Sequence, residues 1–527
     1  MFSSPSRKRL LLWIAAGLLL RFILVIVFPR PGDDDTSDYL ELGHNLLHRG
    51  IYGFANGGVL VPSLFRLPGY PLFLATMELL FARFGQAVWL NAVYTVQALA
   101  DLGAGVLLAV FARQALNRRA AEWVLALAML CPFTAAYAGI AMTECLTVFA
   151  ISLGIYAAGR ALAAAQAGTR DNWALVLAGC AAAMAMLLRP DGAVLTLVLG
   201  AGLFWYIART GAASPSLGVA QRLRSAAAST ALFSVIALLP LVPWTVRNWQ
   251  TFHIFQPLPP RFQSLPGERG NVGFYRWLRT WSVEFVTTAD VFWNVGNDSI
   301  DLDSLPSSAF DSPAQKQKTV ALIDEYNRTN SISAELDDRF AALAAERIHA
   351  HPLRYYVVVP ALRVADMMFR PRTLEFYLDV YWWRWSAHPL GSIFAVALGL
   401  INLAYVALAL WGFARGRVPC AWMLGGYLLL RCLTLGTMEN PEPRYTIECF
   451  PILFVAAGAA IAGRTRNSQK PVGAAWQVAE TPVRALGRGF IRGIKPIKST
   501  WVFQVAKKLP SATRGGTVTR ARLQSGQ

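Results

Sequence analysis

Long apolar runs recur along the whole chain, and each is close to the ~20 residues that cross a bilayer as a helix. The first covers Leu10 to Phe28. Charged residues make up only 15% of the 527 residues, whereas ordinary soluble domains carry about 25%. The runs are continuous rather than alternating, which disfavours a β-barrel. The sequence therefore predicts an all-α, polytopic membrane protein.

Basic residues at the ends of the runs predict how the chain threads the membrane, because cytoplasmic loops are enriched in Lys and Arg. Residues 7–9 are Arg-Lys-Arg, which predicts a cytoplasmic N-terminus. We interpret the first run as a retained signal anchor. The next basic connection, Arg113 to Arg119, is also predicted inside. The acidic segment after the first run is then outside, so only one crossing fits between Asp38 and Arg113. We therefore expect Tyr70–Phe84 to form a re-entrant or interfacial helix and Val88–Ala112 to form the second span.

The later runs continue the alternation and bring the total to about ten spans. They lie at about 121–140, 143–162, 173–188, 193–208, 226–245, 389–413, 419–437 and 446–463. The predicted division is an N-terminal transmembrane module at 1–245 with an external loop at 30–87, an extracytoplasmic α-rich domain at 246–386, C-terminal spans at 387–463 and a basic cytoplasmic tail at 464–527. Within the external domain, Ser312-Pro313 predicts a helix start, and 333–349 is amphipathic.

The net charge of +18 is concentrated at the C-terminus, where residues 464–527 contain thirteen Lys or Arg and one acid, Glu480. This tail predicts contact with anionic membrane lipids, as an interfacial helix or as a disordered segment. Nucleic acid is not an expected partner beside so many spans. The six cysteines have neither disulfide-framework nor zinc spacing.

An acidic cluster follows the first span: Asp33, Asp34, Asp35 and Asp38. Carboxylates crowded at a hydrocarbon boundary repel one another and lose hydration, so we expect a raised pKa for at least one. Such a group can act as a general base at neutral pH. The alternative is solvation and helix capping, with Asp38 three residues before Glu41 in a capping arrangement. Asp34, Asp35 and Asp38 are the candidate catalytic residues.

Several short motifs, in order over about residues 10–463, resemble bacterial membrane glycosyltransferases of the GT-C fold. This group includes protein O-mannosyltransferases and the lipid A aminoarabinose transferase. The motifs are Asp35-x-x-x-Tyr39, Arg66-Leu67-Pro68-Gly69-Tyr70-Pro71, Thr143-Glu144, Leu188-Arg189-Pro190, Pro243-Trp244-x-x-Arg247-Asn248 and Arg444-Tyr445.

The resemblance implies a polyprenyl-phosphate-linked sugar donor and an inverting transfer on the extracytoplasmic side of the bacterial inner membrane. An acid of the first external loop would be the base, and Asp35 matches by its spacing to Tyr39. Many relatives carry a second acid directly after it, where this chain has Thr36. Which aspartate acts as the base therefore stays open.

The resemblance also marks candidate substrate-binding residues. Arg66 stands where relatives carry a basic residue that contacts the lipid phosphate, and Arg247 and Arg444 are further candidates at predicted external boundaries. Arginine suits phosphate because its fork donates two hydrogen bonds and stabilises charge that develops on a leaving group. The alternative for each is an interfacial arginine that snorkels. Tyr70, Glu144 and Tyr445 complete the predicted set.

Metal binding is left open. His44 and His48 are four residues apart on one helix face, which fits either an interfacial histidine pair or metal ligands. The loop acids could also hold a divalent cation, but we predict no definite metal site or cofactor. Arg21 and Asp101 lie within predicted spans, where a structural ion pair is expected.

Two functional classes compete. The first is a glycosyltransferase whose acceptor is a glycan, a lipid or a protein. The second is a transporter or flippase for a lipid-linked glycan, which would bind phosphate with similar charges. Transporters typically show repeated halves with interrupted helices at midplane depth, and the sequence shows no such repeat. A nonenzymatic scaffold would leave the acidic cluster without a purpose.

Overall fold

The chain is mainly helical, with one short β-hairpin. The computed structural model describes residues 4–27, 34–210, 218–260 and 270–463, without the side chains of residues 4–7, 27, 34 and 210. The helices are α1 Ser4–Val27, α2 Asp34–Arg49, α3 Gly69–Phe81, α4 Gln86–Ala115, α5 Arg118–Met129, α6 Pro132–Ala136, α7 Glu144–Gln166, α8 Asn172–Leu188, α9 Gly192–Thr210, α10 Val219–Leu238, α11 Leu241–Phe252, α12 Val272–Leu278, α13 Phe285–Thr287, α14 Pro313–Thr329, α15 Ala334–Ala350, α16 Val359–Phe369, α17 Pro389–Ala414, α18 Ala421–Gly436 and α19 Phe450–Ala462.

The hairpin consists of β1 (Gly53–Asn56) and β2 (Val59–Pro62), which pair antiparallel with Gly53 opposite Pro62. Its turn residues, Gly57 and Gly58, both have positive φ. Hairpin turns that match the strand twist need this conformation, which glycine adopts without steric cost.

The predicted membrane class is confirmed by the helices themselves. Among the described residues, seven helical segments are long and apolar enough to cross a membrane, or eight if α10 and α11 form one bent span. Helices α8 and α18 are apolar but shorter. They occupy the places of the predicted fifth and ninth spans. The total of ten crossings stays a prediction.

Two predicted spans are not continuous helices. The third is interrupted before Pro132, so α5 is followed by the short α6 and a 3-10 turn. The seventh, predicted at 226–245, is instead the pair α10 and α11, bent by 46°. Pro240 lies at this bend and cannot donate a backbone hydrogen bond.

Helix α3, followed by a 3-10 turn at Ala82–Phe84, occupies the place of the predicted re-entrant or interfacial helix. Its 13 residues span about 20 Å, short of the ~30 Å hydrocarbon core. Its first residue, Gly69, lies so close to α8 that an added Cβ would stand 2.6 Å from the Leu187 carbonyl oxygen. This contact fixes the start of α3 against the end of α8.

Small residues and one ion pair organise the apolar core. Ala150, Ala157 and Ala158 of α7 are fully buried, because small side chains let membrane helices approach closely. Arg21 of α1 donates to Asp101 of α4 at 2.5 and 3.0 Å, and both are buried. The expected Arg21–Asp101 pair is therefore confirmed.

The predicted external region has a core of its own, in which Phe274 and Trp277 of α12 pack against Phe340 of α15. The helix start predicted at Ser312-Pro313 is confirmed, since the Ser312 side chain caps α14. The amphipathic stretch 333–349 forms α15, which the Ser333 side chain caps. The division at residues 245 and 386 stays a prediction, and the basic tail at 464–527 lies outside the described residues.

Candidate active site

Asp35 lies between two arginines that come from distant parts of the chain. Its Oδ1 is paired with Arg66, and its Oδ2 lies 2.7 Å from Nη2 of Arg444. Arg66 also donates to Oδ2 of Asp38 at 2.9 Å. We call Asp35, Asp38, Arg66 and Arg444 the acid–arginine centre. The side chains of Asp35, Arg66 and Arg444 are 21%, 17% and 14% exposed, so a ligand can still reach them.

Three elements position this centre. Asp35 and Asp38 stand in the first two turns of α2, where the positive end of the helix dipole favours carboxylates. Arg66 lies in the segment between β2 and α3, and its backbone carbonyl accepts a hydrogen bond from Tyr52 at 2.9 Å. Arg444 lies in the 3-10 segment Pro443–Cys449 that leads into α19.

The pKa of Asp35 is lowered, not raised. Burial alone would raise it, but the charges and hydrogen bonds of Arg444 and Arg66 bring the pKa down to about 2. The expectation that crowded carboxylates raise a pKa is therefore wrong for Asp35. The arginines lie closer to the carboxylate than the sequence alone could show, and their attraction exceeds the cost of desolvation.

The other predicted acids have different positions. Asp38 does not cap α2, which begins at Asp34, and pairs with Arg66 from inside the helix. The capping interpretation of Asp38 is therefore wrong. The Asp34 side chain and the whole of Asp33 lie outside the described residues.

A second, more deeply buried charge network adjoins the centre. Arg189, in the turn between α8 and α9, lies 3.3 Å from Glu144 and 3.0 Å from Glu448. Arg431 of α18 pairs with Glu448 and with Asp191. Glu144 is fully buried and forms an ion pair with Arg189.

Five charged residues of this environment were absent from the predicted site residues: Arg189, Asp191, Arg431, Glu442 and Glu448. Glu442 lies 2.5 Å from Nε of Arg444, and burial raises the pKa of its carboxyl in spite of that arginine. Arg189 was visible in the Leu188-Arg189-Pro190 motif. The two glutamates had no signal beyond their position beside Arg444-Tyr445.

Aromatic rings line the same region. Tyr39 and Tyr70 meet edge to face at 5.1 Å, and the Arg66 guanidinium lies 5.4 Å from the Tyr39 ring centroid. Tyr70 is fully buried and donates to Gln97 at 2.5 Å. Tyr445 lies beside both Arg189 and Arg444, at 5.5 and 5.3 Å from its centroid.

Arg247 has structural contacts. From α11 it donates to the carbonyls of Tyr52 at 2.7 Å and Ser63 at 2.8 Å. It thereby holds the hairpin and, through Tyr52, the backbone of Arg66. A direct contact of Arg247 with substrate stays a prediction.

An apolar cavity of about 680 Å³ is lined by residues of α3, α8 and their neighbouring helices. Gly69 and Leu188, the sequence neighbours of Tyr70 and Arg189, line one part of it, and Cys180, Ile236 and Leu239 line another. Along α8, Cys180 lies about 12 Å from Leu188. Every lining side chain is apolar or a cysteine, so this space suits hydrocarbon rather than a polar ligand.

One group of three potential metal ligands occurs among the described residues: His44, His48 and Glu78. The two histidines were predicted as a pair, and α3 supplies the carboxylate. The loop acids Asp35 and Asp38 are instead paired with arginines.

No protein-family model matches the chain, and no curated protein matches it. Solved structures do resemble it. The oligosaccharyltransferase of Archaeoglobus fulgidus in complex with Zn and sulfate matches with a TM-score of 0.45 and 12% identity, over 85% of this chain and 48% of that one. AglB from the same organism, in complex with an inhibitory peptide and a dolichol-phosphate, matches with a TM-score of 0.46 and 12% identity, over 96% and 54%.

ArnT from Cupriavidus metallidurans bound to undecaprenyl phosphate matches with a TM-score of 0.36 and 16% identity, over 85% of this chain and 77% of that one. The matched proteins are GT-C fold glycosyltransferases, the class that the sequence resembles. The chain spans about half the length of the archaeal enzymes. Because the TM-scores are below 0.5, the functional proposal rests on the residues of the site rather than on this likeness.

Proposed function

We propose that the protein is an integral membrane glycosyltransferase that moves a sugar from a polyprenyl-phosphate donor to an extracytoplasmic acceptor, with inversion at the anomeric carbon. The observation that carries this proposal is the pairing of one partly accessible carboxylate, Asp35, with Arg66 and Arg444 beside an apolar cavity. A lipid phosphate needs both a cationic site and a space for hydrocarbon.

The arginines have the chemistry to hold the donor. A phosphate oxygen competes with the Asp35 carboxylate for Arg66 and Arg444, since guanidinium pairs bidentately with either anion. The polyprenyl chain would extend into the cavity along α3 and α8. Arg189 lies near enough, through its contact with the Tyr445 ring, to add a third positive charge.

Asp35 would then act as the base. The acceptor hydroxyl oxygen forms a bond to the anomeric carbon while the bond from that carbon to the phosphate oxygen breaks. Polyprenyl phosphate leaves with the electron pair, and the hydroxyl proton passes to Asp35. When phosphate draws the arginines away, burial remains and raises the proton affinity of Asp35. The carboxylate thus becomes a stronger base only when the donor is bound.

The test is turnover of a panel of labelled polyprenyl-phosphate hexoses and pentoses by the purified full-length protein in lipid. We expect Asp35→Asn and Arg66→Met to lower transfer by at least about 100-fold, the usual contribution of a general base or of a charge-stabilising donor. Ser37→Ala, an exposed change on the same helix, should keep the rate within about twofold.

Two results would overturn the proposal. Full transfer by Asp35→Asn would show that Asp35 is not the base. The variants Asp34→Asn and Asp38→Asn would then show whether a neighbouring aspartate has this role. A wild-type protein that transfers no sugar but moves the lipid between leaflets would be the transporter of the competing hypothesis.

A further inference from the structure

Three metal-ligating side chains meet away from the acid–arginine centre. Nδ1 of His44 and Nε2 of His48 lie 2.9 and 3.0 Å from the same oxygen, Oε1 of Glu78. The two imidazole rings, one helical turn apart on α2, have centroids 4.4 Å apart. All three ligand atoms lie within 4.8 Å of one another.

The surroundings favour a cation at this point. Glu78 is 9% exposed and lies on the apolar helix α3, where an ionised carboxylate is costly without a positive partner. Ligand atoms of a tetrahedral zinc ion stand about 3.3 Å apart, given metal–ligand distances of about 2.0–2.2 Å. The two observed nitrogen–oxygen separations, 2.9 and 3.0 Å, would need to open by only a few tenths of an ångström.

We propose that His44, His48 and Glu78 bind a divalent transition-metal ion, with Zn²⁺ the best fit. Two imidazoles and one carboxylate suit zinc better than Mg²⁺ or Ca²⁺, which prefer all-oxygen sites. The histidine side chains are 54% and 50% exposed, so the ion can enter from outside and a fourth position stays open to water.

The ion would join α2 to α3 and thereby stabilise the frame of the acid–arginine centre. The two helices already touch at Tyr39 and Tyr70, and Gly43 permits the close approach, since a Cβ there would lie 2.9 Å from the Pro71 carbonyl oxygen. His44 follows Asp35 by nine residues, about 13 Å along the helix. The metal is therefore a structural clamp and makes no contact with the reacting atoms.

The experiment uses full-length protein with a tag that lacks histidine, stripped with chelator, incubated with ZnCl₂ at neutral pH and desalted. We expect about one zinc per chain by elemental mass spectrometry and a higher midpoint of thermal unfolding than in the stripped protein. His44→Ala, His48→Ala and Glu78→Gln should each lose most of the zinc. His349→Ala, an exposed histidine on α15, should keep it.

Cobalt substitution gives a readout that needs no variant. Co²⁺ bound by two imidazoles and a carboxylate in a tetrahedral site gives visible d–d absorption, so a wild-type protein that takes up no zinc and gives no such absorption overturns the proposal. Equal loss of zinc in His349→Ala and His44→Ala also overturns it. Neither measurement uses a sugar donor, so failure of the glycosyltransferase proposal would leave this result unaffected.

Discussion

Asp35 is ionised in a setting where burial alone opposes the charge. Its pKa of about 2 lies below the ~3.9 of an unfolded aspartate, so it binds protons less readily in the folded state. This group therefore contributes stability above about pH 4, and the contribution is lost as pH falls from about 4 to 2. The shift corresponds to about 2–3 kcal/mol.

We expect the midpoint of thermal unfolding of Asp35→Asn to fall less steeply between pH 4 and pH 2 than that of the wild type. The measurement is a series of thermal melts in detergent across that range. Asp303→Asn, at an exposed acid with no arginine partner assigned to it among the described contacts, should follow the wild-type curve. Parallel curves for wild type and Asp35→Asn would contradict the coupling of Asp35 to its arginines.

The Arg21–Asp101 ion pair, in contrast to the Asp35 pairs, stabilises the packing of helices α1 and α4. Asp101→Ala leaves Arg21 without its counter-charge among buried residues, which typically costs about 3–5 kcal/mol. Glu122→Ala breaks a partly exposed pair with Arg118, and such pairs contribute about 1 kcal/mol or less. Denaturation of the two variants in detergent should show this difference. Similar losses in both would mean that water reaches Arg21.

Single residues of the site were predictable only where a motif marked them. Asp35, Arg66 and Arg444 stood in motifs, and the structure brings them together. That both arginines bind the same carboxylate was not predictable, because the Asp35–Arg444 contact joins residues more than 400 positions apart. Glu442 and Glu448 were not predictable either, since a glutamate near a span boundary has many unremarkable explanations.

Among the elements, α3 holds the site through its first residue. Gly69→Ala places a methyl group 2.6 Å from the Leu187 carbonyl oxygen, and backbone cannot move away as a side chain can. We expect a loss of about 1–3 kcal/mol in stability, typical of overpacking, together with reduced transfer because Arg66 and Tyr70 flank the displaced turn. Gly218→Ala, where an added Cβ meets nothing within 4 Å, should change neither the denaturation midpoint nor the rate. A Gly69→Ala protein as stable and active as the wild type would show that α3 and α8 can separate freely.

Apolar run length predicted most elements, since a run of sufficient length has few alternatives to a membrane helix. The interruptions were harder, although Pro132 and Pro240 mark both of them. A proline in an apolar run can kink a span or end it, and the choice depends on neighbouring helices. The hairpin was missed even though Asn56-Gly57-Gly58 carries a turn signal, because its strands of four residues each lack a clear alternation.

At the scale of the whole molecule, the charges and the apolar cavity make one site only if the lipid occupies both. Cys180 tests this, because it is exposed, lines the cavity and lies well away from the charges along α8. Cys180→Trp would fill the part of the cavity that only a long isoprenoid chain reaches. Displacing two methylenes of the lipid chain costs about 1.6 kcal/mol, so we expect the KM for a long-chain polyprenyl-phosphate sugar to rise roughly tenfold.

A donor with a short isoprenoid chain should keep its KM, since its tail ends before Cys180. Cys432→Trp, at a partly exposed cysteine on α18 outside the cavity lining, should leave both donors unaffected. If Cys180→Trp and Cys432→Trp behave alike with the long donor, the lipid chain follows another path, and the cavity is only a gap in packing.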